Sequence, residues 1–338
     1  MYPLTHSNRG TIAPPAASTD LVGVKLANGG RTEYLTFTAR ARVTISVAAI
    51  TAILNRGSVW SLFPQVVLDE NGDQRQFVHG RVLRFVSEMS APSALSATRL
   101  TSLEVGTTML EETARMYFSH PMSLDPTETA YIEQNIQQTL LASVRQAVNL
   151  ATNLTTPGAG TVVIDQVSVD VLQSFRKVKQ GDVPPFFVPT SRELIVPITG
   201  ALTAYPIPLL TTKPVRHLIV SQETTTVGEV GDIITRFALK GDYTNIVGPS
   251  SVSYADWVLA QEYEFGGAVV SANRAHMGFN FQRYGRLSNV FSPVQDANLR
   301  LEVDANVSAS AGNSQLRITL FELSRDPGVV AEKVPFQY

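Results

Sequence analysis

Residues 298–305 and 315–323 alternate polar and apolar side chains without a break. Successive side chains of a strand point to opposite faces, so this pattern gives a sheet with one buried and one wetted face. A helix would smear the same residues around its axis. The signature recurs at 40–47 and 276–281, and further strand-like runs lie at 33–38, 58–68, 76–86, 110–118, 161–172, 215–221 and 233–239. Asp69-Glu70-Asn71-Gly72-Asp73 separates two of these runs as a turn, because Asn-Gly tolerates positive φ. The pattern predicts an all-β chain of sandwich or barrel type. The last two segments, joined by the small and polar 306–314, read as a hairpin with Arg300, Glu302, Arg317 and Glu322 on its outer face.

One segment reads differently. Ile132, Ile136, Leu140, Val144 and Val148 recur every four residues, with Leu141 and Ala147 beside them. Asp125 can cap, Pro126 suits the first helical position and Glu128 completes a capping-box arrangement. This predicts a helix over 126–151. It closes one end of a β domain, or lines a subunit contact through Ile132, Ile136, Leu140 and Val144.

The 338 residues suffice for two cores. Gly and Pro break residues 1–30, which read as an N-terminal arm, and the Lys179–Pro185 stretch marks a linker over 179–190. The expected plan is a first domain at 31–178, a second at 191–325 and a tail at 326–338. Residues 192–199 echo 31–37, which hints at duplication. The tail ends on Phe336 and Tyr338, aromatic residues that call for a dock on the chain's own domain or on a neighbour. Removing 1–20 or 326–338 is expected to leave the subunit folded and impair assembly.

Charged residues make up 17 % of the chain, against roughly 25 % in globular proteins, which suits surface covered by other subunits. The 27 Lys and Arg face 29 Asp and Glu, with no run of three basic residues, so direct nucleic-acid binding is not expected. The absence of cysteine excludes disulfides and thiolate chemistry and fits folding in a reducing cytoplasm. The start lacks a secretion-signal pattern, and the longest apolar stretch, 43–54, is too short to span a bilayer.

No phosphate loop, dinucleotide fingerprint or nucleophile elbow occurs. His6, His79, His120, His217 and His276 lie far apart, and Asp69, Glu70 and Asp73 lack the spacing of a calcium loop. Glu111 and Glu112, adjacent on a strand, would face opposite ways. No catalytic, cofactor-binding or metal-ligating residue is expected. Trp60 reads as core, and the role of Trp257 stays open.

Two successive β domains, the first with an inserted helix, joined by a Pro-rich link, resemble the double jelly-roll major capsid proteins of tectivirus and corticovirus type. The likeness is carried by 223–230 and 233–242, which are similar to an early strand pair of the second roll, and by 285–293 with 298–323, similar to its closing strands. The resemblance implies two jelly-roll sandwiches, a homotrimer forming a pseudo-hexagonal capsomer, and an icosahedral virion, as in some bacteriophages. Implied partners are neighbouring capsomers, penton proteins and membrane proteins, with an internal membrane beneath the shell. The alternatives are a spike, penton or glycan-binding β-sandwich, and a β-rich hydrolase.

Overall fold

In a computed structural model of the chain the described residues are 6–14, 20–27, 30–46, 52–54, 58–90, 102–103, 105–118, 132–134, 139–151, 155–156, 161–177, 187–226, 228–243, 245–264, 275–282, 290–293 and 296–325.

The first half runs β1 (His6–Ile12), β2 (Val22–Lys25), β3 (Gly30–Ser46), β4 (Ala52–Leu54), a 3-10 turn at Val59–Leu62, β5 (Gln65–Glu70), β6 (Asp73–Val78), α1 (Gly80–Ser90), β7 (Ser102–Leu103), β8 (Gly106–Tyr117), β9 (Ile132–Gln134), β10 (Leu140–Arg145), β11 (Thr155–Thr156) and β12 (Thr161–Lys177). One sheet has the order β1-β12-β3-β8, the other β2-β10-β5-β6, and the short β11-β4-β7 forms a third. The second half runs β13 (Phe187–Ile198), β14 (Leu202–Pro208), β15 (Val215–Thr224), β16 (Gly228–Glu229), β17 (Ile234–Lys240), β18 (Asn245–Ser253), α2 (Tyr254–Glu264), β19 (His276–Asn280), β20 (Arg300–Ala305) and β21 (Ser314–Arg325). Its sheets are β13-β21-β15, extended by β19 on β15, and β14-β20-β17-β18.

Both halves thread their eight long strands alike. Counted along each half, one sheet takes the first, eighth, third and sixth strands, and the other the second, seventh, fourth and fifth. Every pairing in these sheets is antiparallel. This is a jelly roll, made twice. In both rolls a helix fills the connection between the fifth and sixth strands.

Alternation builds each core. On β3 the inward Leu35, Phe37, Ala39, Ala41, Val43 and Ile45 are buried, while Thr36, Thr38, Arg40, Arg42 and Thr44 between them face outward. They meet Trp60, Phe63 and Leu68 in the first core. The second core gathers Leu218, Val220, Phe237, Leu301, Val303, Leu316 and Ile318. Each large apolar side chain buried this way contributes roughly 1.5–3 kcal/mol. Asn71 and Gly72 take positive φ at the β5–β6 turn, as their residue types predict.

Several expectations change. Residues 6–12 and 22–25 belong to the first roll, not to an arm. β1 pairs along its whole length with β12, and Thr11 and Arg9 anchor on Asp170 at 2.6 Å each. A Cβ on Gly10 would lie 2.5 Å from Val24 Cγ2, so this glycine marks close packing, not looseness. Removing 1–20 would therefore take away a strand. The second roll starts at Phe187, inside the expected linker, most of which lies outside the described residues.

The helix expected at 126–151 gives way to strand over 132–134 and 140–145, and among the described residues of that span Leu150 and Ala151 are helical. Residues 132–134 pair with β3, and 140–145 run as a strand between β2 and β5. A repeat of four is also a multiple of two, so Leu140 and Val144 share the buried face of a strand with Ala142. Residues 126–131 and 135–138 lie outside the described residues. The first roll's helix is α1, in a segment read as strand: Gln76–Val78 is strand, and Gly80 opens the helix. The expected 298–323 hairpin also fails, since β20 and β21 lie in different sheets. The echo between 192–199 and 31–37 joins strands that are not equivalent, β13 being a first strand and β3 a third.

Candidate assembly interface

The two rolls meet where α1 lies on the outer face of the second roll's β15 and β19. Every residue of α1 except Arg84 is buried, as expected for a helix covered on all sides. Phe85 and Met89 point at Gly278 of β19. A Cβ there would sit 2.8 Å from Phe85 Cε1, 2.9 Å from Met89 Sδ and 3.2 Å from Ile219 Cδ1, so glycine is what allows this approach. Ile219 and Phe321 of the second roll consequently join the first roll's apolar core.

Around this contact the seam is charged and buried. Arg81 of α1 reaches between Glu229 (3.3 Å) and Glu223 (3.8 Å) of the second roll. Glu223 also binds Arg317 at 2.6 Å, and Arg317 binds Glu193 at 2.7 Å. Glu193 in turn accepts from the His79 backbone N–H at 3.1 Å, back in the first roll. Ser191 Oγ accepts from Phe77 N (2.8 Å) and donates to Phe77 O (2.9 Å). Arg216 donates to the Phe118 carbonyl at 2.9 Å and to Gln282 at 2.6 Å, and burial pulls its guanidinium down to about 10. Burial alone would push Glu223 up, but Arg81 and Arg317 outweigh it and hold the carboxyl below its ordinary value. On Glu193 burial wins over Arg317, and its carboxyl is raised. Such networks add little net stability, yet losing one partner strands a buried charge, so they enforce a single orientation of the parts they join.

Ser221 Oγ lies 2.7 Å from His276 Nδ1, and His276 Nε2 lies 2.9 Å from Glu229 Oε1. The order resembles a nucleophilic relay. Ser221 is 1 % exposed, however, and the Phe85 ring packs on the imidazole at 5.3 Å, so no substrate carbonyl reaches the hydroxyl. The chain of bonds belongs to the seam.

Among the described residues, the equivalent surfaces elsewhere on the chain are partly exposed. The outer face of β3, β8 and β12 carries Thr38–Thr113 and Thr44–Thr107 contacts, a bidentate Arg42–Asp165 pair, and Arg40 between Glu111 and Asp170. Met109 and Val163 stand among them, each 51 % exposed. On α2, Tyr254, Val258 and Gln261 face the second core, while Ala255, Asp256, Leu259 and Ala260 are exposed. Trp257 packs edge-on to Phe237 at 5.6 Å and against Phe279 at 5.2 Å, which assigns it to core support. Trp60 is fully buried.

The residues proposed from sequence as interface separate. Leu140 and Val144 are fully buried in the first roll's own core and have no surface to offer a neighbour. Ile132 lies in β9, while Ile136, Phe336 and Tyr338 lie outside the described residues. Sequence reading missed the seam, because Arg216, Glu223 and Arg317 stand far apart in the chain and nothing local marks them as buried. Among the described residues no cluster of three metal-ligating side chains occurs, and no helix is long and apolar enough to cross a membrane.

The sequence matches no family model and no curated protein. Solved structures do match. The MCP of STIV, the Sulfolobus turreted icosahedral virus, superposes with a TM-score of 0.68 at 14 % identity, over 94 % of this chain and 95 % of that one. The PBCV-1 virus capsid gives 0.61 at 10 % identity, over 96 % and 94 %. The major capsid protein P2 of bacteriophage PM2 gives 0.54 at 12 % identity, over 94 % and 98 %. These neighbours are structural proteins of virions, and the match spans both rolls and the seam between them. The chain thus has the double jelly-roll fold of viral major capsid proteins.

Proposed function

We propose that the chain is a major capsid protein that acts by self-assembly, as a homotrimeric, pseudo-hexagonal building block of an icosahedral shell. The observation that carries this reading is the unequal covering of equivalent surfaces. Within the chain, the first roll's helix α1 covers the outer β15–β19 face of the second roll. The matching helix α2 and the matching outer face of β3, β8 and β12 remain open, with Leu259, Met109 and Val163 exposed. If α2 of one copy sits on the open face of the next, the contact inside the chain is repeated between chains. A head-to-tail contact of this kind closes into a ring when its rotation permits. Trimer closure and a shell over an internal membrane rest on the fold likeness. Partners on this reading are neighbouring capsomers and other virion proteins, and the protein works in the virion after folding in the host cytoplasm. No reaction is assigned to it.

Light scattering on the purified protein, at several concentrations, tests this reading. A trimer that persists on dilution is expected. Met109→Glu together with Leu259→Glu should give a monomer that still unfolds cooperatively, because both side chains are exposed in the single chain and like charges on the two faces oppose the contact. A wild-type protein that stays monomeric throughout would overturn the proposal.

A further inference from the structure

Beside its ion pairs, the seam between the rolls encloses a small polar cavity. Gln76, Leu83 and Val86 of the first roll line it, and Thr190, Arg216 and Glu322 of the second face them. The cavity leaves about 10 Å³ for the centre of a water-sized molecule, which is room for one. Its position follows from the strands. The reciprocal Ser191–Phe77 bonds clasp β13 to β6 one residue along from Thr190 and Gln76, so these two side chains are held at the same junction.

Two polar atoms of this lining lack a hydrogen bond from the protein. Gln76 is 2 % exposed, and no donor among the described residues reaches its buried Oε1. Thr190 Oγ1, a hydroxyl able both to donate and to accept, is buried in the same condition. Native proteins satisfy nearly all such groups, with protein partners or with ordered water. The two atoms belong to different rolls, so one molecule bonded to both would bridge the seam.

The charges of the lining select that molecule. Arg216 is 3 % exposed, and its partners are the carbonyls of Tyr117 and Phe118 and the amide oxygen of Gln282, not a carboxylate. Its uncompensated positive charge opposes a cation in the cavity. The carboxylate of Glu322, bound on its other side by Arg192 at 3.1 Å, and the Gln76 carbonyl oxygen oppose an anion. A neutral molecule that donates to Gln76 Oε1 and shares a hydrogen bond with Thr190 Oγ1 meets both constraints, and the volume admits water.

We propose that this cavity is a hydration site of the seam, in which one internal water molecule bridges Gln76 of the first roll and Thr190 of the second. The water is a third component of the junction, alongside the apolar helix contact and the ion pairs. The site belongs to the single chain and stands whether or not the chain builds a shell.

Oxygen-17 relaxation dispersion of solvent water, measured on the purified full chain, counts long-lived internal waters. Gln76→Leu removes the acceptor, and Thr190→Val removes the hydroxyl at nearly constant size. Each variant is expected to lose one long-lived water relative to the wild type. An equal count in the wild type and both variants would overturn the proposal. A crystal structure of the wild-type chain keeps the test sound if a variant does not fold. It should show one solvent peak within hydrogen-bonding distance of Gln76 Oε1 and Thr190 Oγ1. A cavity without density would sink the idea, and so would a bromide anomalous peak there after a sodium bromide soak, because the ligand would then be an anion.

Discussion

The third strands of the two rolls occupy the same place in the same topology and live in different surroundings. β15 is buried at all ten positions, whereas β3 alternates buried core residues with outward Thr and Arg. Both strands carry charge. On β15, Arg216 and Glu223 are buried and bound to partners drawn from both rolls. On β3, Arg40 and Arg42 are paired across neighbouring strands and open to water. Topology fixes what a strand's inner face must be. What its outer face must be depends on whether something covers it, and in this chain the second roll is covered from within.

The sharpest way to break the contrast is to remove the arginine that closes the seam. Arg81→Ala removes a buried counter-charge from Glu223 and Glu229, with an expected loss of about 3–5 kcal/mol. Arg42→Ala, on the open face, should leave the melting temperature of the single chain unchanged, since that pair is solvated. Denaturant melts of the two variants compare them directly, and equal losses would erase the distinction between the faces.

A smaller effect is expected from Gly278→Val, which pushes a side chain into Phe85 and Met89. Overpacking of this sort costs about 1–3 kcal/mol. It should loosen the contact between the rolls first, seen as faster amide exchange in α1 than in β12. Uniform exchange changes across both rolls would count against a local seam.

The mildest probe is pH. The carboxyl of Glu223 is held below its ordinary value of 4.5, so its contribution is complete above that pH and fades as pH falls toward the lowered value. Glu193 is raised, so its contribution runs the other way: present below the ordinary value and lost as pH rises through the raised one. Glu223→Gln should flatten the acid limb of a melting-temperature profile, and Glu193→Gln the limb just above pH 4.5. An unchanged profile in both would remove these carboxyls from the linkage.

The strands with one wet face were legible in the sequence. β12, β20 and β21 announce themselves because alternation records a sheet with core on one side and water on the other. Their pairing was not legible: β20 and β21 are neighbours in sequence and sit in opposing sheets, a fact set by the long-range threading of the roll. β1 and β2 were hidden by glycines that serve close packing. α1 was hidden because the strand pattern leaving the Asn71-Gly72 turn was carried through to Val86, past Gly80, where the helix opens. β10 shows the converse error, in which spacing by four imitated a helix. The seam itself could not be read, because its charged residues come from β13, β15, β16, β19, β21 and α1, and nothing local relates them.

The glycine at position 278 and the ionic lock around Arg81 have a mechanical consequence. Two bodies joined through a flexible tether can rock, but here a helix is keyed into a sheet and pinned by charges that tolerate no slippage. Among the described residues, this seam resists relative motion of the two rolls. On the proposed function, a curved shell built from such chains would take up its bending at the joints between chains and not within them.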